Sequence, residues 1–315
     1  MESVVAVLVL VVVLLAIVRR NRRVRESFES FFFLQPTLWW FVDTEHNSRN
    51  WWDFGARSSM EPNRGYLQVS LEAVRRTQRE FRIVPLIGRE AVLSLLGVTD
   101  PSVKQLPPAL WRDYAIANIL AKKGGLVMDG NSTLCVGPSL YPQVSSIGAA
   151  MFGVNPDEPV YTHVQSPGPA PYVGWASSPN HPAWVYSANV WNRLVASGPQ
   201  AWSSAEARRT NQTVWEKQSS LGCVLLRDVD GGRLPNGKLR QLEDLFGRVA
   251  TPSDPNMSIM PGTVYVSYNG DDLARRYEFN WFLRLSKKQI QESDFVWSRL
   301  ANSSMVDSRM GSFTM

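Results

Sequence analysis

From Leu38 onward, short apolar runs alternate with segments in which apolar residues recur at helical spacing, and no internal repeat or low-complexity tract breaks the rhythm. Residues 38–42 (LWWFV) are apolar throughout, which predicts a strand buried on both faces. Residues 69–78 read as a helix, 81–87 as a second strand, and 89–96 as a second helix stopped by Gly97. A β-α-β-α opening of this kind predicts an α/β domain built on one sheet.

The most strongly marked helix spans 108–123. Pro108 suits a first turn, where its missing N–H is no loss; Lys122 and Lys123 stand where the helix dipole favours cations; Gly124-Gly125 supplies the stop. The helix feeds directly into 126–128 (LVM), a buried strand that Asp129-Gly130-Asn131-Ser132 is expected to break into a loop. An acidic residue at the carboxyl end of a buried strand stands where open α/β sheets receive their ligands.

Further on, 172–176 reads as a strand and 181–196 as a helix. Ser203 with Glu206 three residues later opens another helix, and 223–229 reads as a strand ended by a turn at Asp230-Gly231-Gly232. Strands at 263–268 and 278–285 are expected to pair around Asn269-Gly270. A helix over 287–300, capped by Ser286 with Gln289 at the third position, closes the pattern. Proline and glycine crowd 153–182, which reads as a long surface loop rather than a domain boundary, because the α/β rhythm resumes after it.

The amino-terminal pattern differs. Residues 4–18 are an unbroken apolar run of fifteen, short of the ~20 needed for an untilted span but extendable through Ser3 and snorkelling arginines. A cleaved signal peptide needs a basic residue before the run and a small-residue cleavage site after it. Met1-Glu2-Ser3 supplies no basic side chain, and the run leads straight into Arg19-Arg20-Asn21-Arg22-Arg23. The expected organisation is an uncleaved transmembrane anchor over 1–20, a basic juxtamembrane stem over 21–35, an α/β domain over 36–300 and a loose polar tail over 301–315. Arginines are retained on the cytoplasmic side, so the chain reads as a single-pass membrane protein with its domain facing the cytosol. The sequons at Asn131, Asn211, Asn256 and Asn302 are then chance matches.

Composition narrows the classes further. Hydrophobic residues make up 44% and charged ones 19%, with 12 Trp, which excludes a disordered chain. The net charge of +5 includes five arginines against three glutamates in the first 35 residues, so a basic balance gives no reason to expect a nucleic-acid partner. Two cysteines, Cys135 and Cys223, are too few for a disulfide framework and lack zinc-site spacing; each lies in apolar surroundings and reads as a buried free thiol.

The stretch Arg112-Asp113-Tyr114-Ala115-Ile116, the remainder of the helix to Lys123, and Gly124-Gly125-Leu126-Val127-Met128-Asp129-Gly130-Asn131 resemble a signature of sugar transferases. These are the DXD-containing glycosyltransferases of the type A fold, in the capsular-polysaccharide-synthesis and mannosyltransferase-like group. The opening through Val69-Ser70-Leu71-Glu72 and the segment Ser178-Pro179-Asn180-His181-Pro182 are similar to other parts of the same group. The likeness covers roughly residues 36 to 196, and 200–315 carry no matching motif. It implies a Rossmann-like nucleotide-diphospho-sugar transferase domain and a nucleotide-sugar donor. It also implies a glycan, lipid or protein acceptor, and assistance by Mn²⁺ or Mg²⁺. Donor-binding positions fall on Asp113, Gly125, Trp39 and Trp40, and metal positions on Asp129 and Asn131.

The match departs from the group twice. Ile116 stands where an arginine is expected one turn after Asp113, and Asn131 replaces the second Asp of the metal motif. Asn131 offers a carbonyl oxygen without charge, a weaker ligand for a hard cation. Several candidates carry a plainer reading as well: Trp39 and Trp40 as core, His181 as a cap of the following helix rather than a catalytic group, and Asp271-Asp272 as turn residues before metal contacts. Asp43, Glu45 and His46 come after the first strand, where the group binds its nucleobase. The function this pattern points to first is a membrane-anchored glycosyltransferase that moves a sugar from a nucleotide-sugar donor with metal assistance; the alternative is a structural or interaction protein at a membrane that keeps the fold without turnover.

Overall fold

The computed structural model describes residues 35–44, 65–153, 171–226, 242–246 and 263–302. The apolar run 4–18, the stem, Glu45, His46, Asp230-Gly231-Gly232 and most of the proline-rich loop and the tail lie outside them. Among the described residues, no helix is long and apolar enough to cross a membrane.

Eight strands are present among the described residues: β1 Thr37–Val42, β2 Arg82–Ile87, β3 Gly125–Asp129, β4 Thr133–Cys135, β5 Ala149–Gly153, β6 Pro171–Ala176, β7 Cys223–Leu226 and β8 Tyr265–Ser267. Six of them form one mixed sheet in the order β2-β1-β3-β6-β5-β7, and β4 pairs with β8 in a separate two-stranded ribbon. β1 runs parallel to β2 and β3, β6 lies antiparallel to both β3 and β5, and β5 runs parallel to β7. The chain is an α/β protein whose mixed sheet is compatible with a Rossmann-like fold.

The principal helices are α1 Gly65–Thr77, α2 Arg89–Leu96, α3 Pro108–Lys123, α4 Pro182–Ala196, α5 Ser204–Ser220, α6 Gly270–Arg275 and α7 Lys287–Glu292. Side chains alternate across a strand, so β1 supplies both core layers. Leu38, Trp40 and Val42 face the layer that holds α1, the β4–β8 ribbon and the carboxyl-terminal helices. Trp39 and Phe41 face the layer built by α2, α3 and α4. Each fully buried large apolar side chain contributes about 1.5–3 kcal/mol, which is why a strand apolar on both faces belongs at the centre.

Local chemistry explains where these helices stop. Gly97 takes the left-handed conformation and its N–H closes on Leu93 and Ser94 carbonyls. Ser286 and Gln289 form a reciprocal capping box at the start of α7. Cys135 and Cys223 are buried free thiols.

Three expectations are corrected. Asp129 completes β3 instead of breaking it, because its residue still pairs with Phe41 of β1. Residues 263–268 and 278–285 do not form a hairpin: β8 pairs with β4, and Tyr277–Asn280 and Trp281–Arg284 are helical turns. Their aromatic side chains satisfy burial by clustering, with Phe282 against Phe246, Phe295 and Trp297, rather than by strand alternation. The closing helix is interrupted, since α7 ends at Glu292 with Ser293 extended and a further helix covers 296–302.

Candidate functional site

The site is assembled by the hairpin of α3 and β3. Asp113 lies eleven residues before Gly124 and Asp129 five residues after it, so each stands about 16 Å from the turn along its own axis. The two residues are therefore level along the hairpin. They also share a side of the sheet, because Asp129 alternates with Val127 and pairs with Phe41, and both of those residues belong to the layer containing α3. The parallel pairing of β1 with β3 brings Asp43 to the same sheet end, and the Gly130 N–H extends the ladder to the Phe41 carbonyl at 2.8 Å.

The turn that sets this geometry requires glycine. Gly124 and Gly125 have φ of 64° and 87°; a Cβ on Gly125 would stand 2.4 Å from the Thr37 carbonyl oxygen. The Gly124 carbonyl accepts a hydrogen bond from Trp39 Nε1 at 2.9 Å. Gly130 is equally constrained, because a Cβ there would lie 2.4 Å from the Trp40 ring.

Both carboxylates are buried, Asp113 at 2% exposure and Asp129 at 4%. Burial raises the Asp113 carboxyl above its ordinary range, while Arg112 and an Asn211 hydrogen bond pull it back and Asp271 adds repulsion. Burial likewise pushes Asp129 up to about 6 against the opposing pull of Arg112, hydrogen bonds from Ser132 and the Asn131 N–H, with Asp271 again repelling. Arg112 Nε donates to Asp113 Oδ1 at 3.4 Å, and Asn211 Nδ2 donates to Asp113 Oδ2 at 2.9 Å. Arg112 thus sets a buried guanidinium among elements that carry the carboxylates of Asp113, Asp129 and Asp271.

Asn131 is held at both ends of its amide. Its Oδ1 accepts from the Asp43 N–H at 2.6 Å, and its Nδ2 donates to the Asp43 carbonyl at 3.1 Å and to the Tyr66 hydroxyl at 3.2 Å. Its own N–H donates to Asp129 Oδ1 at 2.9 Å. The side chain pairs with the main chain of Asp43 as another strand would, and so ties the β3 end to the β1 end. The Asp43 carboxylate meets Arg89 at 2.7 Å, and Arg89 also donates to the Lys104 and Leu106 carbonyls and lies over the Trp111 ring.

The remaining sequence candidates are dispersed around this centre. Trp39 and Trp40 are buried on opposite sides of β1, 8% and 0% exposed. His181 opens α4, its Nδ1 accepting from the Ala183 N–H at 3.4 Å. Ile116 lines a small cavity with Asp113, Met151, Trp184, Asn211 and Gln218, between α3, α4 and α5. Asp271, in the first turn of α6, reaches the charge field of Asp113 and Asp129 from a distant part of the chain.

Sequence reasoning did not single out Arg112 or Asn211 as site residues. Arg112 was detectable: it precedes Ile116 by four residues, so one helix face offers a cation one turn before the position where the transferase signature has one. Asn211 carried no signal beyond its sequon, because its contact with Asp113 spans 98 residues.

The residues at this strand end do not fit a divalent cation. Asp129 Oδ1 and Asn131 Oδ1 both accept main-chain N–H groups, whereas a Mg²⁺ or Mn²⁺ site turns its one or two carboxylates toward an ion that waters and phosphate oxygens complete. Among the described residues, no three His, Cys, Asp or Glu side chains gather closely enough to hold a metal ion. No family model matches the chain, and no curated protein or solved structure matches it.

Proposed function

We propose that this chain is a structural or interaction protein with a type A glycosyltransferase-like fold, held at a membrane by residues 4–18 with its α/β domain facing the cytosol. The observation that carries the reading is Asn131. A transferase must present its strand-end oxygens outward to a donor; here the amide that replaces the second metal-motif carboxylate joins two strand ends of the protein itself. The nearby charges are likewise answered within the fold, Asp43 by Arg89 and Asp113 by Arg112.

Thermal unfolding tests this. Uridine and guanosine diphosphates, with or without Mn²⁺ or Mg²⁺, are expected to leave Tm unchanged, whereas a ligand at 100 times its Kd adds about 2.7 kcal/mol. Asn131→Asp is expected to destabilise by about 2–4 kcal/mol without creating a nucleotide response, since it loses two donated hydrogen bonds and sets a charge against the Asp43 carbonyl. A joint rise of Tm with metal and nucleotide overturns the proposal.

The second reading is a glycosyltransferase acting on a nucleotide-sugar and a glycan, lipid or protein acceptor. It is favoured by the placement of Asp113 and Asp129 on one side of the sheet at the carboxyl ends of β1 and β3, where α/β sheets receive ligands. The same titration separates the two.

A further inference from the structure

We propose that Arg112 is the resident cation of this site: its guanidinium stands in the place of a divalent ion and offsets part of the cost of burying the carboxylates of Asp113 and Asp129 without metal. The inference rests on the internally satisfied reading of the site and says what satisfies it.

Position comes first. Arg112 lies twelve residues before Gly124, about 18 Å along α3, which places its Cα level with Asp129 or slightly beyond. Ile116 lies about 12 Å along, level with Met128, beneath the strand rather than at its end. Both residues lie toward one face of the helix, four apart. Position 112, unlike position 116, thus sets a cation at the end of the strand, where the carboxylates are.

Contact and burial agree with this placement. Arg112 is 6% exposed, and its Nε–H is directed at the Asp113 carboxylate, which Asn211 holds from the other side. A buried carboxylate pair without a cation is strongly unfavourable, and a buried guanidinium without an anion is as well, so removing either side is destabilising. A guanidinium satisfies carboxylates through directed N–H donors and requires no first coordination sphere. Asp129 Oδ1 and Asn131 Oδ1, by comparison, each accept a main-chain N–H.

The test uses the full chain in detergent, with Mn²⁺ alone as the probe and no nucleotide. Wild type, Arg112→Ala, Arg112→Lys and Arg112→Ala/Asp129→Asn are compared for Tm in chelator and in millimolar MnCl₂, and bound Mn²⁺ is counted by electron paramagnetic resonance. The wild type is expected to hold the same Tm in both solutions and to bind no Mn²⁺. Arg112→Ala is expected to lose roughly 10 °C in chelator, to recover about half of the loss in Mn²⁺, and to bind one ion. Arg112→Lys keeps the charge and is expected to retain metal independence, and the double variant is expected not to be rescued.

A Tm of the wild type that rises with Mn²⁺ or falls with chelator overturns the proposal, and this arm decides even if Arg112→Ala fails to fold. Folded Arg112→Ala that ignores Mn²⁺ overturns it as well. A Tm shift with a nucleoside diphosphate in chelator counts against the scaffold function while leaving Arg112 as the resident cation. Mn²⁺ binding to the wild type without any nucleotide shift does the reverse.

Discussion

Asp129 shows how one buried side chain sets a pH dependence for the whole fold. Burial raises its pKa to about 6, chiefly by desolvation, with Arg112 opposing and Asp271 assisting. A carboxyl that is raised in the folded state binds its proton more tightly there than in the unfolded chain. The stabilisation is therefore full below about pH 4 and is lost as pH rises through 6, amounting to roughly 3 kcal/mol by neutral pH. Urea unfolding at about pH 4.5 and 7.5 should show a fall in stability that is larger by about 2 kcal/mol in the wild type than in Asp129→Asn. Equal falls in the two proteins would mean that Asp129 ionises in the fold without penalty. At this scale the candidate site was half legible. Asp113 and Asp129 announce themselves by their distance from Gly124-Gly125. The clasp of Asn131 on Asp43 and the contact of Asn211 with Asp113 join residues 88 and 98 apart, which no local spacing encodes.

At the scale of elements, the α3–β3 hairpin depends on main chain approaching main chain. Gly125→Ala forces both a disfavoured φ of 87° and a Cβ 2.4 Å from the Thr37 carbonyl, within the β1–β3 junction. Gly97→Ala shares the left-handed problem, at φ 65°, but meets no atom within 4 Å. Calorimetry should find about 1 kcal/mol lost for Gly97→Ala and about 3–5 kcal/mol for Gly125→Ala, the excess measuring the close approach. Similar losses at both positions would show that the turn relaxes freely. The same distinction governs which elements could be read. Helices whose ends carry their own chemistry were legible: Pro108 and Gly124 bound α3, Gly97 ends α2, and Ser286 with Gln289 begins α7. β4 and β8 were not, since each is three residues long and exists through its pairing with the other across some 130 residues. Residues 278–285 misled because a run rich in aromatics fits a strand or a buried helical turn equally well.

At the scale of the whole molecule, the expected orientation and the fold bear on each other through the sequons. Asn211 is 4% exposed and its Nδ2 donates to Asp113, so a glycan on that nitrogen excludes the native packing of α5 against α3. Asn131 uses Nδ2 for the Asp43 carbonyl and Tyr66, and Asn302 uses it for the Gln291 carbonyl at 2.8 Å. Three of the four sequons thus place their acceptor nitrogen inside the fold's own hydrogen bonding. Arginines at 19, 20, 22, 23 and 25 lead to the expectation that this side is retained in the cytosol. In sealed vesicles with the cytosolic face outward, protease should therefore remove everything after about residue 25, and glycosidase treatment should leave the mass of the intact chain unchanged. Protection of the domain, or a mass loss traced to Asn211, would reverse the orientation. A glycan at Asn211 would further require α5 to leave Asp113, setting Arg112 and its two carboxylates in water and removing the reason for the resident cation.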